Sequence, residues 1–409
     1  MDLHRTKISF FITFFLVLSL NAQKFSVASP NANIDVGLEI TNKSCLTINF
    51  KGKKIIDEIC IDVKTSDERN FGLNPKVLST NSITVKENIK LDIPNKDKVI
   101  ESEFNLLTVK FDQENELIIR VFNDGLAYRF VDNNPKSKNI IDEKMDLFLN
   151  DGTLTYFPWE ESMYSHNERL YNLTKVSSLN QGDFCSLPVM FKINDVKVLF
   201  SEASLYNYPG MFLEKKSENM LTTKFPKYVL ETKPAIFDPT IGDQLQIGAE
   251  DESDRTQQIV EEGDYIAKID GKKEFPWRVF IVSDDDRTFV ESNLVTQLSE
   301  SSKLEDTSWI KPGKVAWDWW NANNVYGVDF KAGINQETYK YYIDFASENN
   351  IEYILLDEGW TKSTTQIYEA NPDIQIKELI EYASSKNVGV FLWVLWKPLD
   401  NDMDGLLKL

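Results

Sequence analysis

Carboxylates and tryptophans occur together at two places in the chain, each directly after a short apolar run. The first group contains Trp317, Asp318, Trp320 and Asn321, and the second contains Asp357, Glu358 and Trp360. Tryptophan faces pack against the apolar face of a pyranose ring, and carboxylates accept hydrogen bonds from its hydroxyl groups. The combination is typical of a sugar-binding site. The alternative interpretation is that the tryptophans belong to a hydrophobic core and that Asp318 caps an element.

The residues around these groups predict strands that alternate with helices. We predict strands over residues 314–319, 352–356 and 388–395, the last one ending in Trp396 and Lys397. Short apolar runs separated by amphipathic helices are typical of parallel βα units. In such folds the functional groups sit at the carboxyl ends of the strands. The two groups are therefore expected at one edge of a sheet.

Two helices are predicted between these strands. Asn335 is a suitable N-cap for the first, and Asp373, directly after Pro372, opens the second. The positions expected to face inward are Tyr339, Tyr342, Ile343 and Ala346 in the first helix and Ile376, Leu379, Ile380 and Ala383 in the second. Their spacing places each set on one helical face.

Residues 24–306 show a different pattern. Apolar and polar residues alternate over many short segments, for example 45–50 and 117–122, and turn residues separate them. This pattern predicts a large antiparallel β-sandwich. Cys45 and Cys60 lie on neighbouring predicted strands, and export would permit a disulfide between them, which would leave Cys185 free.

The segment 156–171 departs from this alternation because it concentrates aromatic side chains with Glu161, His166 and Glu168. One interpretation is an arm that reaches the site of the neighbouring domain. A long polar loop that caps the sandwich explains the same residues. Glu202, at the end of a predicted strand, is a further candidate, although a lone glutamate there is usually a surface residue.

The N-terminus predicts a secretory signal peptide over residues 1–23. Arg5 and Lys7 precede an apolar run from Ile8 to Leu20, and small and polar residues follow it. A membrane anchor is the alternative, but the run is too short to span a bilayer. No other run approaches spanning length, so we expect no membrane span after the signal is removed.

The net charge of −19 argues against nucleic acid as a partner, because an acidic surface repels phosphate backbones. The chain has 2 histidines, His4 and His166, and no G-x-S-x-G motif. A histidine-rich zinc site is therefore excluded, and a nucleophilic serine triad is not indicated.

Several of these motifs resemble glycoside hydrolase family 97. The similarity is carried by Trp317-Asp-Trp-Trp-Asn321, Leu356-Asp-Glu-Gly-Trp360, Gly327–Gly333, Tyr339–Ala346, Asp264–Lys268 and Phe275–Val279. The family consists of exported bacterial α-glucosidases and α-galactosidases that bind calcium beside an oligosaccharide substrate. The resemblance implies an N-terminal β-sandwich, a catalytic (β/α)8 TIM barrel and a C-terminal β-domain, and a periplasmic location.

The resemblance also implies roles for particular residues. Asp357 and Glu358 become candidates for binding sugar hydroxyls, and Trp317, Asp318 and Trp320 would shape the same subsite. His166 would reach the substrate from the N-terminal domain. One glutamate of that domain would ligate Ca²⁺, and Glu161, Glu168 and Glu202 are alternatives for this ligand.

A closed barrel needs about 250 residues, and residues 307–409 provide well under half of that. The catalytic carboxylates of the family follow its third barrel strand, and no residue of this sequence is assigned to those positions. We therefore expect a signal peptide (1–23), a sandwich (24–306) and the first βα units of a truncated barrel (307–409), inactive alone. A non-catalytic carbohydrate-binding protein is the alternative. Gluco- or galacto-specificity and retention or inversion stay open.

Overall fold

The computed structural model describes residues 22–93, 95–237, 245–247 and 257–408. One compact unit takes in the chain up to Tyr228 together with Asp264–Ser302, and the other takes in Val229–Gly263 and Lys303–Leu409. Residues 1–21 of the predicted signal peptide lie outside the described residues. Within the described ranges, every helix is too short or too polar to cross a bilayer.

In chain order the strands are β1 (Gln23–Ala28), β2 (Ile34–Ile40), β3 (Ser44–Phe50), β4 (Lys53–Thr65), β5 (Asn70–Phe71), β6 (Val77–Lys90), β7 (Val99–Phe111), β8 (Asn115–Phe122), β9 (Gly125–Asp132), β10 (Lys138–Phe148), β11 (Leu154–Phe157), β12 (Trp159–Glu160), β13 (Asn172–Lys175), β14 (Phe184–Cys185), β15 (Val189–Ile193), β16 (Val196–Ala203), β17 (Phe212–Ser217), β18 (Met220–Lys224), β19 (Val229–Phe237), β20 (Leu245–Ile247), β21 (Gln257–Glu262), β22 (Ala267–Ile269), β23 (Lys273–Glu274), β24 (Trp277–Ser283), β25 (Val315–Trp317), β26 (Tyr353–Leu356) and β27 (Gly389–Leu392). The helices are α1 (Arg287–Glu291), α2 (Leu294–Leu298), α3 (Gln336–Glu348), α4 (Ile376–Ser385), α5 (Trp396–Asn401) and α6 (Met403–Leu406), and Val176–Ser178 and Asp318–Asn321 form 3₁₀ turns.

Two antiparallel sheets make up the first unit. Among the described residues, the larger sheet has 11 strands in the order β1-β2-β3-β4-β10-β18-β17-β14-β12, with β5 beside β4 and β22 beside β10. The second sheet, counted over the same residues, has 10 strands in the order β13-β11-β15-β16-β24-β9-β8-β7-β6, with β23 beside β9.

Side chains from both sheets meet in one hydrophobic core. Every second residue of β2, from Ile34 to Ile40, is buried in it, and so are Leu117 and Val121 of β8 in the other sheet. Because side chains of a strand alternate between the two faces, this pattern turns one face of each sheet inward. Two antiparallel sheets on a shared core are what the alternating sequence predicted.

The cysteines also follow the prediction. Cys45 and Cys60 oppose each other in β3 and β4 and form a disulfide. Cys185 is free and buried, and burial raises the pKa of its thiol, which makes it a poor nucleophile.

The described parts of residues 229–263 do not extend the two large sheets, although the predicted sandwich included them. Their strands β19, β20 and β21 form a separate sheet in the order β20-β19-β21, and β19 bends through irregularities in its register with β21. The alternation that predicted the sandwich over residues 24–306 carries no information on which sheet a strand joins.

The second unit contains a parallel sheet in the order β25-β26-β27. Helices α3 and α4 cover one face, where Ile343 and Leu379 pack on Ile354 in a core of their own. Among the residues on these strands, Val315 is 42% exposed and Phe391 is 49% exposed. The predicted order of strand, helix, strand, helix, strand is confirmed.

Four local expectations in this unit are wrong. Strand β25 ends at Trp317 instead of Trp319, because the chain turns into the 3₁₀ segment Asp318–Asn321. Helix α4 begins at Ile376 after Gln375, and Asp373 does not cap it.

The other two corrections concern burial and the last strand. Ile380 is 43% exposed, so the buried stripe of α4 is narrower than the sequence indicated. Trp396 and Lys397 begin α5 instead of ending β27, since Pro398 is suited to the first turn of a helix.

Candidate functional site

The carboxyl ends of β25 and β26 bring the two predicted groups together. Trp317 pairs with Leu355 in the parallel register, so the residues that follow each strand emerge side by side. The indole Nε1 of Trp317 donates a hydrogen bond to Oδ2 of Asp357 at 2.6 Å. One tryptophan and one carboxylate from different strands are therefore in direct contact.

Asp318 is buried in this cluster, with 2% of its surface exposed. Its Oδ2 accepts hydrogen bonds from the Tyr339 hydroxyl and from Nδ2 of Asn323, both at 2.8 Å. Its Oδ1 is buried and has no hydrogen-bond partner among the described residues. Burial raises the pKa of Asp318, the nearby Asp357 adds to this, and the bonds from Tyr339 and Asn323 oppose it.

Trp320 stands against Trp317 in an edge-to-face arrangement with 5.6 Å between the ring centroids. It is 79% exposed, and Trp319 is 65% exposed. Both rings belong to the 3₁₀ turn Asp318–Asn321, and the two residues that follow it, Ala322 and Asn323, have positive φ. The exposed ring of Trp320 is a platform on which a sugar ring could stack.

Of the residues that follow β26, Glu358 lies beside the cluster and Trp360 lies in the hydrophobic core. Glu358 is exposed, and its backbone N–H donates to Oδ1 of Asp357 at 2.6 Å. Trp360 instead is buried in the core of this unit and donates from Nε1 to the carbonyl oxygen of Trp393 at 2.6 Å. The core interpretation therefore holds for Trp360 but not for Trp320.

Tyr339 is the site residue that sequence reasoning assigned only to the core. It is buried on α3, and its ring packs with the apolar residues as expected. Its hydroxyl nevertheless reaches Asp318, and burial next to that carboxylate raises the pKa of the tyrosine. A buried tyrosine hydroxyl usually has a partner, so a tyrosine on the inward face was the available signal.

Three candidates from the first unit lie on the segment between β12 and β13. Glu161, His166 and Glu168 are all exposed there. The buried carboxylate of this segment is Glu160, which accepts hydrogen bonds from Ser165, Arg169 and Ser186. Burial alone would raise the pKa of Glu160, but these bonds hold it below its usual value.

Glu202 has a different environment from these exposed residues. It opposes Arg278 across β16 and β24, and its Oε1 accepts from Nη1 of Arg278. Its Oε2 accepts from the backbone N–H of Met211 at 3.1 Å. Burial raises the pKa of Glu202, and Arg278 opposes that shift.

The same Arg278 binds a second carboxylate. Its Nε and Nη2 each donate to Glu143 on β10 at 2.8 Å, and the Tyr208 hydroxyl donates to Glu143 at 2.7 Å. Because β10 belongs to the other sheet, this network ties the two sheets together through the core. Glu202 is thus held through Oε1 by Arg278 and through Oε2 by the backbone N–H of Met211, and each oxygen keeps a further lone pair.

Among the residues that the structure describes, no three carboxylates lie close enough together to hold one ion. The group of three possible ligands found among them is Cys45, Glu58 and Cys60, and its two cysteines form the disulfide. Calcium takes six to eight oxygen ligands. Glu161, Glu168 and Glu202 do not meet this requirement as a group.

Comparison with known families follows the same division of the chain. Residues 27–301 match the model described as Glycosyl-hydrolase 97 N-terminal, and residues 319–409 match Glycoside hydrolase 97. The chain belongs to glycoside hydrolase family 97. The resemblance seen in the sequence motifs is thereby confirmed.

Two relatives with similar sequences are both named as retaining alpha-galactosidases, one of them as a probable one. The chain is 34% identical over 404 residues to a retaining alpha-galactosidase of Bacteroides thetaiotaomicron, a match that covers 96% of this chain and 59% of that protein. It is 27% identical over 294 residues to a probable retaining alpha-galactosidase of Streptomyces bingchenggensis, covering 70% of this chain and 38% of that protein. The chain thus spans about half the length of these relatives.

Solved structures show the same fold. A family 97 enzyme from Pseudoalteromonas sp. strain K8 in complex with acarbose superposes with a TM-score of 0.70 at 21% identity, covering 90% of this chain and 53% of that one. A beta-arabinopyranosidase superposes with a TM-score of 0.71 at 22% identity, and the match covers 91% of this chain and 55% of the arabinopyranosidase.

Proposed function

We propose that this chain binds the terminal sugar of an α-linked oligosaccharide as part of an α-glycoside hydrolase. The single observation that carries the proposal is the cluster at the ends of β25 and β26, where Trp317 binds Asp357 and Asp318 keeps one buried oxygen without a partner. The names of the two relatives favour an α-galactoside, whereas an α-glucoside fits the same chemistry.

Each residue of the cluster has a role in this proposal. Asp318 and Asp357 accept hydrogen bonds from sugar hydroxyls, each worth about 1.5–3 kcal/mol when the acceptor is charged. Glu358, exposed beside them, contacts the outer hydroxyls. Trp320 stacks on the apolar face of the ring, and Trp317 orients Asp357 through its indole N–H.

The proposed fold of the second unit is the first part of a (β/α)8 barrel. Three facts support it: the strands are parallel, α3 and α4 cover one face, and the residues on the strands include the exposed Val315 and Phe391. In a barrel that other face is filled by inward side chains of further strands.

Binding and cleavage are separate in this proposal. Hydrolysis of a glycosidic bond needs an acid and a second carboxylate at a defined separation. We assign Asp318 and Asp357 to holding the sugar, because their partners Tyr339, Asn323 and Trp317 fix them as hydrogen-bond acceptors. Residues 24–409 are therefore expected to bind an α-glycoside without hydrolysing it.

The proposed enzyme also binds Ca²⁺ and is exported from the cell. Glu161, Glu168 or Glu202 would supply one oxygen ligand to Ca²⁺, with the other ligands coming from elsewhere, and His166 would approach the substrate from the segment that carries Glu161 and Glu168. The Cys45–Cys60 disulfide supports export to an oxidising compartment such as the bacterial periplasm.

The test is a binding titration of residues 24–409 with methyl α-galactoside and with maltose. We expect saturable binding of one of them, and about tenfold weaker binding by Asp357→Asn. Asp373→Asn, which removes an exposed carboxylate of the same unit, is the matched control and should bind like the parent. Equal affinity of the Asp357 variant, or calcium-dependent cleavage of p-nitrophenyl α-galactoside by residues 24–409, would contradict the proposal.

A further inference from the structure

A groove crosses the outer face of the second sheet, entirely within the first unit. Its floor contains Ile100 and Ser102 of β7 and Phe122 of β8, and its walls are the end of β6 and the helices α1 and α2. The volume is about 980 Å³. This is within the range of sites that bind small ligands.

Ser102 marks this groove as more than a surface depression. The alternation of β7 places Ile100, Ser102 and Phe104 on one face, and Ser102 is only 3% exposed. Its Oγ has no hydrogen-bond partner among the described residues. Because a buried hydroxyl without a partner destabilises a fold, a ligand group that reaches Ser102 would recover lost free energy.

The walls define which ligand fits. Asn88 and Gln297 contribute amide groups, and Glu87, Glu101 and Glu291 contribute carboxylates. The excess of carboxylates disfavours an anionic ligand. Amides and carboxylates around an apolar floor suit a ligand with many hydroxyl groups, which donates to the carboxylates and both donates to and accepts from the amides.

A bound cation is the other ligand that carboxylates could attract. Over the described residues, no three carboxylates of this groove approach each other closely enough to hold one ion together. Asp97 and Asp124 instead accept hydrogen bonds from Asn293 and Ser292, both at 2.7 Å. The acidic groups are thus spread along the groove as separate acceptors.

We propose that this groove is a second carbohydrate site, specific for a short neutral oligosaccharide. It is separate from the cluster at the ends of β25 and β26 and does not depend on the function proposed for that cluster. A site of this kind would let the first unit hold one part of a glycan by itself.

The experiment measures hydrogen exchange and affinity on residues 24–409, with raffinose and maltotriose as probes. We expect either sugar to slow amide exchange in residues 86–103 and 288–297. Ser102→Ala should weaken that binding about tenfold. The same substitution should leave the protein at least as stable as the parent, because it removes a buried hydroxyl that has no partner.

Ser44→Ala is the matched control. Ser44 is also fully buried, and its Oγ also lacks a partner among the described residues, but it lies in β3 of the other sheet. Ser44→Ala should therefore also be at least as stable as the parent, and its affinity for raffinose and maltotriose should be unchanged. A gain of stability without loss of affinity in Ser102→Ala would show that the hydroxyl is an ordinary packing defect, and would overturn the proposal.

The other outcomes separate this proposal from the one above. Protection only near residues 315–320 and 353–358 would overturn the groove and leave the first proposal standing. Protection only in residues 86–103 and 288–297 would support the groove as a carbohydrate site and would contradict sugar binding at the ends of β25 and β26. Protection by calcium chloride alone, or no protection by either sugar, would overturn the groove as a carbohydrate site.

Discussion

The two units hold their buried carboxylates in opposite ways. In the first unit, Glu143 and Glu202 share the fully buried guanidinium of Arg278, and Tyr208 adds a further hydrogen bond. One buried positive charge thus faces two carboxylates and offsets part of their negative charge inside the core. The network connects β10 with β16 and β24, so it links the two sheets.

In the second unit, the carboxylates of Asp318 and Asp357 lie at neighbouring strand ends with neutral donors as their partners. Tyr339 and Asn323 donate to Asp318, and Trp317 donates to Asp357. Burial raises the pKa of Asp318, and no cation contributes to its shift. A carboxylate that the fold buries without a counter-charge does not stabilise the fold, which is why we propose a binding role for Asp318.

The comparison predicts that removing the cation of the first unit has the largest effect. Arg278→Met leaves two carboxylates buried without a counter-charge, and we expect the free energy of unfolding to fall by about 3–5 kcal/mol. Urea denaturation measures it. Arg287→Met, which removes an exposed ion pair with Asp285, is the control and should not change the curve. A loss below about 1 kcal/mol, as for a surface pair, would show that the network is not structural.

Asp318→Asn should weaken sugar binding without lowering stability, which is the opposite of the loss of stability expected for Arg278→Met. We expect about tenfold weaker sugar binding together with a higher unfolding midpoint at neutral pH. Because burial raises the pKa of Asp318 in the folded state, the folded protein takes up a proton before the unfolded chain does as the pH falls.

The stability of the parent should therefore rise as the pH falls through the folded pKa of Asp318 toward 3.8, the pKa of an aspartate fully exposed to water. The asparagine variant should lose this contribution. Denaturation at several pH values, with Asp373→Asn as the control for an exposed carboxylate, tests it. A variant that is both weaker in binding and less stable would mean that Asp318 is structural.

Asp62 tests whether a partly buried carboxylate with other carboxylates beside it, in the first unit, responds to pH in the same way as Asp318. Burial, with Asp142 and Asp146 close by, raises its pKa from 3.8 to about 6 although Lys144 opposes the shift. The first unit should thus become more stable as the pH falls from about 6 to about 4. Asp62→Asn should flatten this part of the profile, and an unchanged profile would refute the shift.

Tyr339→Phe should give the smallest change. It removes one of the two donors to Asp318 and leaves the aromatic packing in place. The loss of one such bond corresponds to about a fivefold drop in affinity. Titration with the sugar that the parent binds measures it, and Tyr341→Phe on the exposed side of the same helix is the control. Equal loss in both variants would point to α3 as a whole.

Local pattern was enough to predict a large part of this fold. Alternation predicted the antiparallel strands, and opposed positions in β3 and β4 give the predicted disulfide. Asn335 caps α3 by accepting from the backbone N–H of Thr338, as its position before the helix indicated. These features depend on residues a few positions apart or on one neighbouring strand.

The sequence by itself determined the family, the strand pattern and the two groups of carboxylates and tryptophans. Tertiary structure alone decided that Trp320 is exposed while Trp360 is buried in the hydrophobic core, and that Glu202 accepts a hydrogen bond from Arg278. It also decided that Tyr339 reaches Asp318. The physical reason is that burial and pairing join groups far apart in the chain, as with Arg278 and Glu143, which are 135 positions apart.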